Sequence, residues 1–232
     1  EKPDFYDKCL ESVPYLNDLM ESVFGQKPFV TNSNIFEFSN IQEKYITHRL
    51  EGQLDTGKMM RSLIQKCLSM EIPILNGVLV EEVIETNEGA IIKTKDFEFA
   101  SRKVFVATNG FASKLIQSET VKPARAQVLI TEPIKNLRIK GTFHFDEGYY
   151  YFRNIDDRIL FGGGRNLDFD TEETTKFGET KIIQNQLEDL LRNMILPTHR
   201  VKIERRWSGI MGVGSQKTPI VKQISDSIYC GV

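Results

Sequence analysis

A chain of 232 residues can bury about 70% of its unfolded surface, enough for one large domain or two small ones. Thirty Lys and Arg stand against 32 Asp and Glu, the formal charge is −2, and no basic block interleaved with aromatics occurs, so a nucleic-acid partner is not indicated. No apolar run approaches the ~20 residues that cross a bilayer, and Glu1 to Asp7 does not look like the start of a signal peptide; a cytoplasmic chain without a membrane partner is expected.

The first predicted element is a helix over Pro3 to Phe24, with a stripe of Leu10, Val13, Leu16, Leu19, Met20 and Val23 that Pro14 interrupts and Gly25 ends. Phe29 to Phe38 reads as a strand or hairpin. Asp55 suits the N-cap of a second helix, whose Met59, Met60, Leu63, Ile64, Cys67 and Leu68 recur at helical spacing and are expected in the core. Three strand-like stretches follow, Ile72 to Val83, Ala90 to Thr94 and Phe97 to Ala107, punctuated by Asn-Gly at 76 and Glu-Gly at 88.

A β-rich region comes next, with strands near Gln127 to Thr131, Thr142 to Phe145, Tyr149 to Asn154 and Arg158 to Gly163. Its aromatics suit antiparallel pairing. A third amphipathic helix spans Glu179 to Met194 on Ile182, Ile183, Leu187, Leu190 and Leu191 and stops before Pro197. Strand-like Val201 to Trp207 follows, with Trp207 expected in the core. The chain starts without Met and stops inside the apolar run Ser227 to Val232, which reads as a piece cut from a longer protein.

Cys9, Cys67 and Cys230 are far apart with no C-x-x-C spacing, and His48, His144 and His199 lack ligand spacing. Neither a disulfide framework nor a metal site is expected. Lys103 to Ala112 reads as an apolar strand, a polar turn (Ala107, Thr108, Asn109, Gly110) and the start of a helix. Such a turn can aim backbone N–H groups at a phosphate; a plain β-to-α connection has the same pattern.

The strand followed by Ala107-Thr108-Asn109-Gly110-Phe111 resembles the A-T-G-A-W-type motif of the D-amino-acid oxidase-like flavoproteins, which include glycine and sarcosine oxidases. Gly52-Gln53-Leu54-Asp55 is similar to that family's G-x-L-D-P, and Asn76 to Val83 resembles the segment whose valine, here Val80, touches the flavin adenine. Val121 to Val128 looks like its P-x-R-G-Q strand, with Ala126 in place of glycine. Gly148 to Arg153 and Arg158 to Gly164 resemble the Y-x-x-P-R and R-x-x-x-G-G hairpin over the flavin. Arg206 to Met211 and Thr218 to Val221 resemble W-A-G-L-R and P-x-I-G.

The resemblance implies an α+β fold: a largely antiparallel substrate-domain sheet with helices, plus an incomplete FAD-domain remnant. It implies a discontinuous substrate-binding domain over 1–52 and 121–209, and an FAD-binding remnant over 53–120 and 210–232. Phe29 to Tyr45 and Val121 to Trp207 are expected to build the substrate-domain sheet. The implied cofactor is FAD, held in part by Val80, Ala107, Thr108, Asn109 and Gly110. The family's opening G-x-G-x-x-G unit and its later Gly-rich flavin loop do not occur in these residues, so the chain alone is expected to hold little FAD and to be inactive.

The implied reaction is oxidation of the C–N bond of a small-molecule amino acid or amine by hydride transfer to FAD, with no general base identified. Tyr149, Tyr151, Arg153 and Met211 are the expected substrate-facing residues. Family amino-acid oxidases often place a carboxylate-binding Arg where Met211 stands, and a thioether cannot make that contact. Arg153 replaces it, or the substrate lacks the carboxylate; Arg153 as a solvated strand residue is the plainer alternative. A non-catalytic binding or scaffold domain of the same fold is the other functional reading. Oligomeric state is left open.

Overall fold

The computed structural model describes residues 3–116, 121–216 and 218–232. The outermost residues of two expected domain ranges, 1, 2 and 117–120, lie outside the described residues, as does 217. In chain order the elements begin with α1 (Pro3–Phe24), β1 (Phe29–Ser33), β2 (Lys44–His48), α2 (Thr56–Ser69), β3 (Val80–Thr86), β4 (Gly89–Thr94), β5 (Glu98–Ser101) and β6 (Val104–Val106). They continue with β7 (Lys122–Thr131), β8 (Thr142–Phe145), β9 (Tyr150–Ile155), β10 (Arg158–Gly163), α3 (Phe169–Glu172), α4 (Lys181–Leu190), β11 (Ile203–Val213), β12 (Val221–Gln223) and β13 (Ile228–Gly231). The fold is α+β.

Contacts divide the chain into two compact units, one of Glu1–Gln53, Gln127–Asp168 and Gly178–Ser208, the other of Leu54–Ala126, Phe169–Phe177 and Gly209–Val232. The first holds a five-stranded sheet in the order β11-β7-β10-β9-β8. Strand alternation sorts its side chains: on β9, Tyr150, Phe152 and Asn154 are buried, whereas Tyr151, Arg153 and Ile155 are half-buried on the other face. Register carries the pattern across, with Phe152 opposite Phe161 and Phe161 opposite Leu129.

Helix α4 lays Ile183 and Leu187 on this inner face, and a π turn extends it through Leu191 and Ile195. Phe143 stacks on Phe152 at 4.5 Å and Phe145 on Tyr150 at 5.0 Å. Full burial of a side chain such as Phe161, Leu129 or Leu187 stabilises the unit by roughly 1.5–3 kcal/mol.

Three expectations change here. Helix α1 runs unbroken through Pro14, which is exposed, so water can replace the hydrogen bond its ring removes. The helix is anchored by buried Asn17, whose amide accepts from the Phe29 N–H at 2.8 Å and donates to the Phe29 carbonyl at 2.9 Å. The segment from Phe29 forms β1 only to Ser33, and β1 pairs with β2 as a separate two-stranded sheet instead of joining the larger one.

The second unit contains α2, the meander β3-β4-β5 and the small sheet β12-β13-β6, in which β6 and β13 are parallel. Asp55 caps α2 by accepting from the Lys58 N–H at 2.9 Å. Its apolar stripe is not core: no α2 residue is buried, and Met60, Leu63 and Leu68 are each half exposed or more. No element covers that stripe among the described residues. Ile72 to Leu79 is not strand, and Arg102 and Lys103 separate β5 from β6 where one strand was expected. Gly89, at φ +150°, closes the β3-β4 turn where a side chain would strike the Ser101 carbonyl. Val106, Ile116 and free Cys230 form the small core, and Arg125 on β7 makes a buried two-pronged ion pair to Glu172 of α3 at 2.8 and 2.7 Å.

Candidate functional site

In the first unit, Tyr151 and Arg153 share the outer face of β9, away from α4. Gly162 of β10 lies opposite Tyr151. A Cβ there would come within 2.8 Å of the Tyr151 ring and 2.5 Å of Val128, so the glycine leaves the space the phenol occupies. Burial raises the Tyr151 pKa above 10.0, so the phenol stays a hydrogen-bond donor further into the alkaline range than a free tyrosine. Tyr149 sits in the turn before β9, not in the strand, and its carbonyl accepts from the Gly164 N–H. It is 38% exposed.

Trp207 is a correction. Arg206 donates to Gln184 and Glu188 of α4, so alternation sends its neighbour Trp207 to the opposite face, 37% exposed, on a strand at the sheet edge. It lies on the same face of this sheet as Tyr151. Sequence pattern missed this because an isolated Trp in an apolar run carries no sign of which face it takes. A cavity of about 560 Å³ lies on the inner side, between Leu10 of α1, Tyr45 of β2, Phe143 and Phe152. None of the expected substrate residues lines it.

In the second unit, β6 leads through Ala107 and Thr108 into Asn109–Lys114, a short 3-10 helix rather than the start of an α-helix. Its few residues give little of the helix dipole the sequence pattern suggested. The Thr108 hydroxyl is buried without a hydrogen-bond partner among the described residues. Asn109 takes φ +48°, and its side-chain oxygen accepts from the Gly212 N–H at 2.7 Å. Gly110 is buried against the backbone of Met211. Met211 itself is 40% exposed on β11. Val80 opens β3 opposite Thr94, half-buried, at a bulge. Among the described residues no cluster of His, Cys, Asp or Glu could hold a metal ion, and no helix is long and apolar enough to cross a membrane.

The sequence pattern of the FAD dependent oxidoreductases, DAO, matches residues 35–231. The chain belongs to that family. No curated protein sequence matches it. Among solved structures, glycine oxidase from Geobacillus kaustophilus superposes with a TM-score of 0.81 at 14% identity, covering 99% of this chain and 62% of the other. Iminodiacetate oxidase from Chelativorans sp. BNC1 gives 0.72 at 13%, covering 100% and 64%. L-proline dehydrogenase from P. horikoshii gives 0.68 at 18%, covering 82% and 52%. At such identities the likeness is one of fold, and the chain spans between about half and two thirds of the length of these proteins.

The donor set of the 107–110 turn suits the family's cofactor in one definite respect. An unpartnered buried hydroxyl, that of Thr108, stands past the C-terminal end of β6, a strand parallel to its neighbour β13. Ligands of parallel sheets gather at that end of the strands, and a buried hydroxyl without a partner is costly until something meets it.

Proposed function

We propose that the whole protein of which this chain is part oxidises the C–N bond of an amino acid or amine. Bound FAD would supply the hydride acceptor, the difficult part of the chemistry. The observation that carries the reading is the membership of residues 35–231 in the FAD dependent oxidoreductases, together with an outer sheet face bearing Tyr151 and Arg153. We read the first unit as the substrate-binding part and the second as part of the FAD site, where Ala107, Thr108, Gly110 and Val80 line the cofactor and Asn109 shapes the turn.

On this reading the chain's own residues bind and orient. Arg153 takes the substrate carboxylate through charge-assisted hydrogen bonds, Tyr151 donates from its neutral phenol, and Tyr149 borders them at the turn. Met211 stands where the sequence resemblance expects arginine, which supports Arg153 as the anchor or a substrate without that carboxylate.

Steady-state kinetics of the whole protein tests it. R153A should raise KM for a carboxylate substrate roughly ten- to a hundredfold, the worth of about 1.5–3 kcal/mol of hydrogen bonds to a charged group. An unchanged KM returns Arg153 to a surface role. M211R should improve turnover of glycine, sarcosine or D-alanine; a folded variant no better with any of them favours an amine lacking the carboxylate. These 232 residues alone contain no strand–G-x-G-x-x-G–helix unit to cradle a diphosphate and should retain little FAD on purification. A near-stoichiometric flavin spectrum from the purified chain would contradict that.

A further inference from the structure

The geometry points to Asn109 as a positioning residue that locks the cofactor-side turn to the end of β11, not as a contact of FAD itself. The inference deepens the reading of residues 107–110 as part of the FAD site and rests on it. Asn109 adopts φ +48°, a left-handed conformation that asparagine tolerates better than most side chains. That backbone twist turns its side chain to β11, where the amide oxygen accepts from the Gly212 N–H at 2.7 Å.

Two glycines make the approach possible. A Cβ on Gly212 would lie 2.8 Å from the Asn109 amide oxygen and 2.9 Å from Val121. A Cβ on Gly110 would lie 2.5 Å from the Met211 carbonyl oxygen. At Gly110 backbone therefore meets backbone, and a side chain there would move the turn or the strand, whereas at Gly212 a side chain would press on the Asn109 amide and the Val121 methyl. The oxygen of Asn109 is engaged by Gly212, while the neighbouring Thr108 hydroxyl is buried with no partner among the described residues. The division of labour follows: Asn109 holds the turn in shape, and Thr108 is the group left to meet a ligand. The same bond fixes the backbone next to Met211, so the cofactor turn and a residue expected at the substrate share one support.

The test uses FAD titration of the apo form of the whole protein, followed by flavin fluorescence, with exchange of the Gly212 amide hydrogen measured in the same samples. Asn109→Gly keeps the backbone angle without strain and removes the acceptor. Asn109→Asp keeps an acceptor in place. On this account N109G weakens FAD binding about three- to tenfold, the usual worth of one hydrogen bond, and speeds Gly212 exchange, while N109D restores both. A direct contact predicts the opposite order, because a carboxylate beside an anionic diphosphate is repelled, and N109D binding worse than N109G would overturn the inference. So would N109G that loses Gly212 protection yet binds FAD normally, which reduces the bond to fold support. If the unaltered protein binds no FAD, the reading of the site fails instead, and unchanged Gly212 exchange in N109G would separately show that the lock is absent.

Discussion

Arg125 and Glu172 show how single residues set the second unit. The carboxylate is wholly buried and the guanidinium nearly so, and they meet through two short hydrogen bonds. Removing one partner strands the other charge away from water, so Arg125→Met should destabilise the protein by about 3–5 kcal/mol in urea denaturation, whereas the double variant R125M/E172M should recover most of that loss. Equal losses in both would mean the pair contributes no compensation. Arg125 was visible in sequence as part of the P-x-R-G-Q resemblance, but its partner was not, because Glu172 lies in a stretch of acidic residues with no apolar period. Thr108 and Asn109 were legible as a turn, yet the direction of the Asn109 side chain depends on a left-handed backbone and a distant glycine, neither of which composition reveals. Trp207 was misplaced for a related reason: burial of an aromatic on an edge strand is decided by neighbours far away in sequence.

At the scale of elements, α4 and β11 are clasped by charge. Hydrogen bonding from Arg192 first, and then from Arg206, holds the Glu188 carboxyl below its ordinary value of 4.5. A group whose folded pKa is lowered stabilises the fold above its unfolded pKa and loses that contribution as pH falls through the folded value. Stability measured by denaturant at a series of pH values should therefore fall below about pH 4.5 less steeply in E188Q than in the unaltered protein, and the two slopes should match near neutrality. Identical slopes in acid would remove Glu188 from the clasp. Helix and strand periods predicted α1, α2, α4 and most strands of the large sheet, since alternation and caps are local signals. They failed where local and distant effects compete. Pro14 does not break α1, because its exposed position and the Asn17 anchor offset the lost bond, and β1-β2 stands apart because pairing partners are not encoded in either strand alone.

For the whole molecule, the α+β class and the family were both legible, because several short motifs occur in the family's order over most of the chain, which single motifs could not have shown. The exposed stripe of α2 was not, since helical period predicts a covered face without saying what covers it. The family is one of FAD dependent oxidoreductases, and the proposed function is that the whole protein carries FAD and draws a hydride from a carbon bearing nitrogen. Anaerobic mixing of the purified whole protein with a panel of amino acids, N-methylated amino acids and simple amines, followed by the visible flavin band, tests this most directly. Bleaching of the band by at least one of these compounds, with release of ammonia or the matching amine once water has hydrolysed the product, is the predicted result. A flavin-loaded protein that none of them bleaches, but that a reductant without a C–N bond α to its hydride reduces readily, would contradict it.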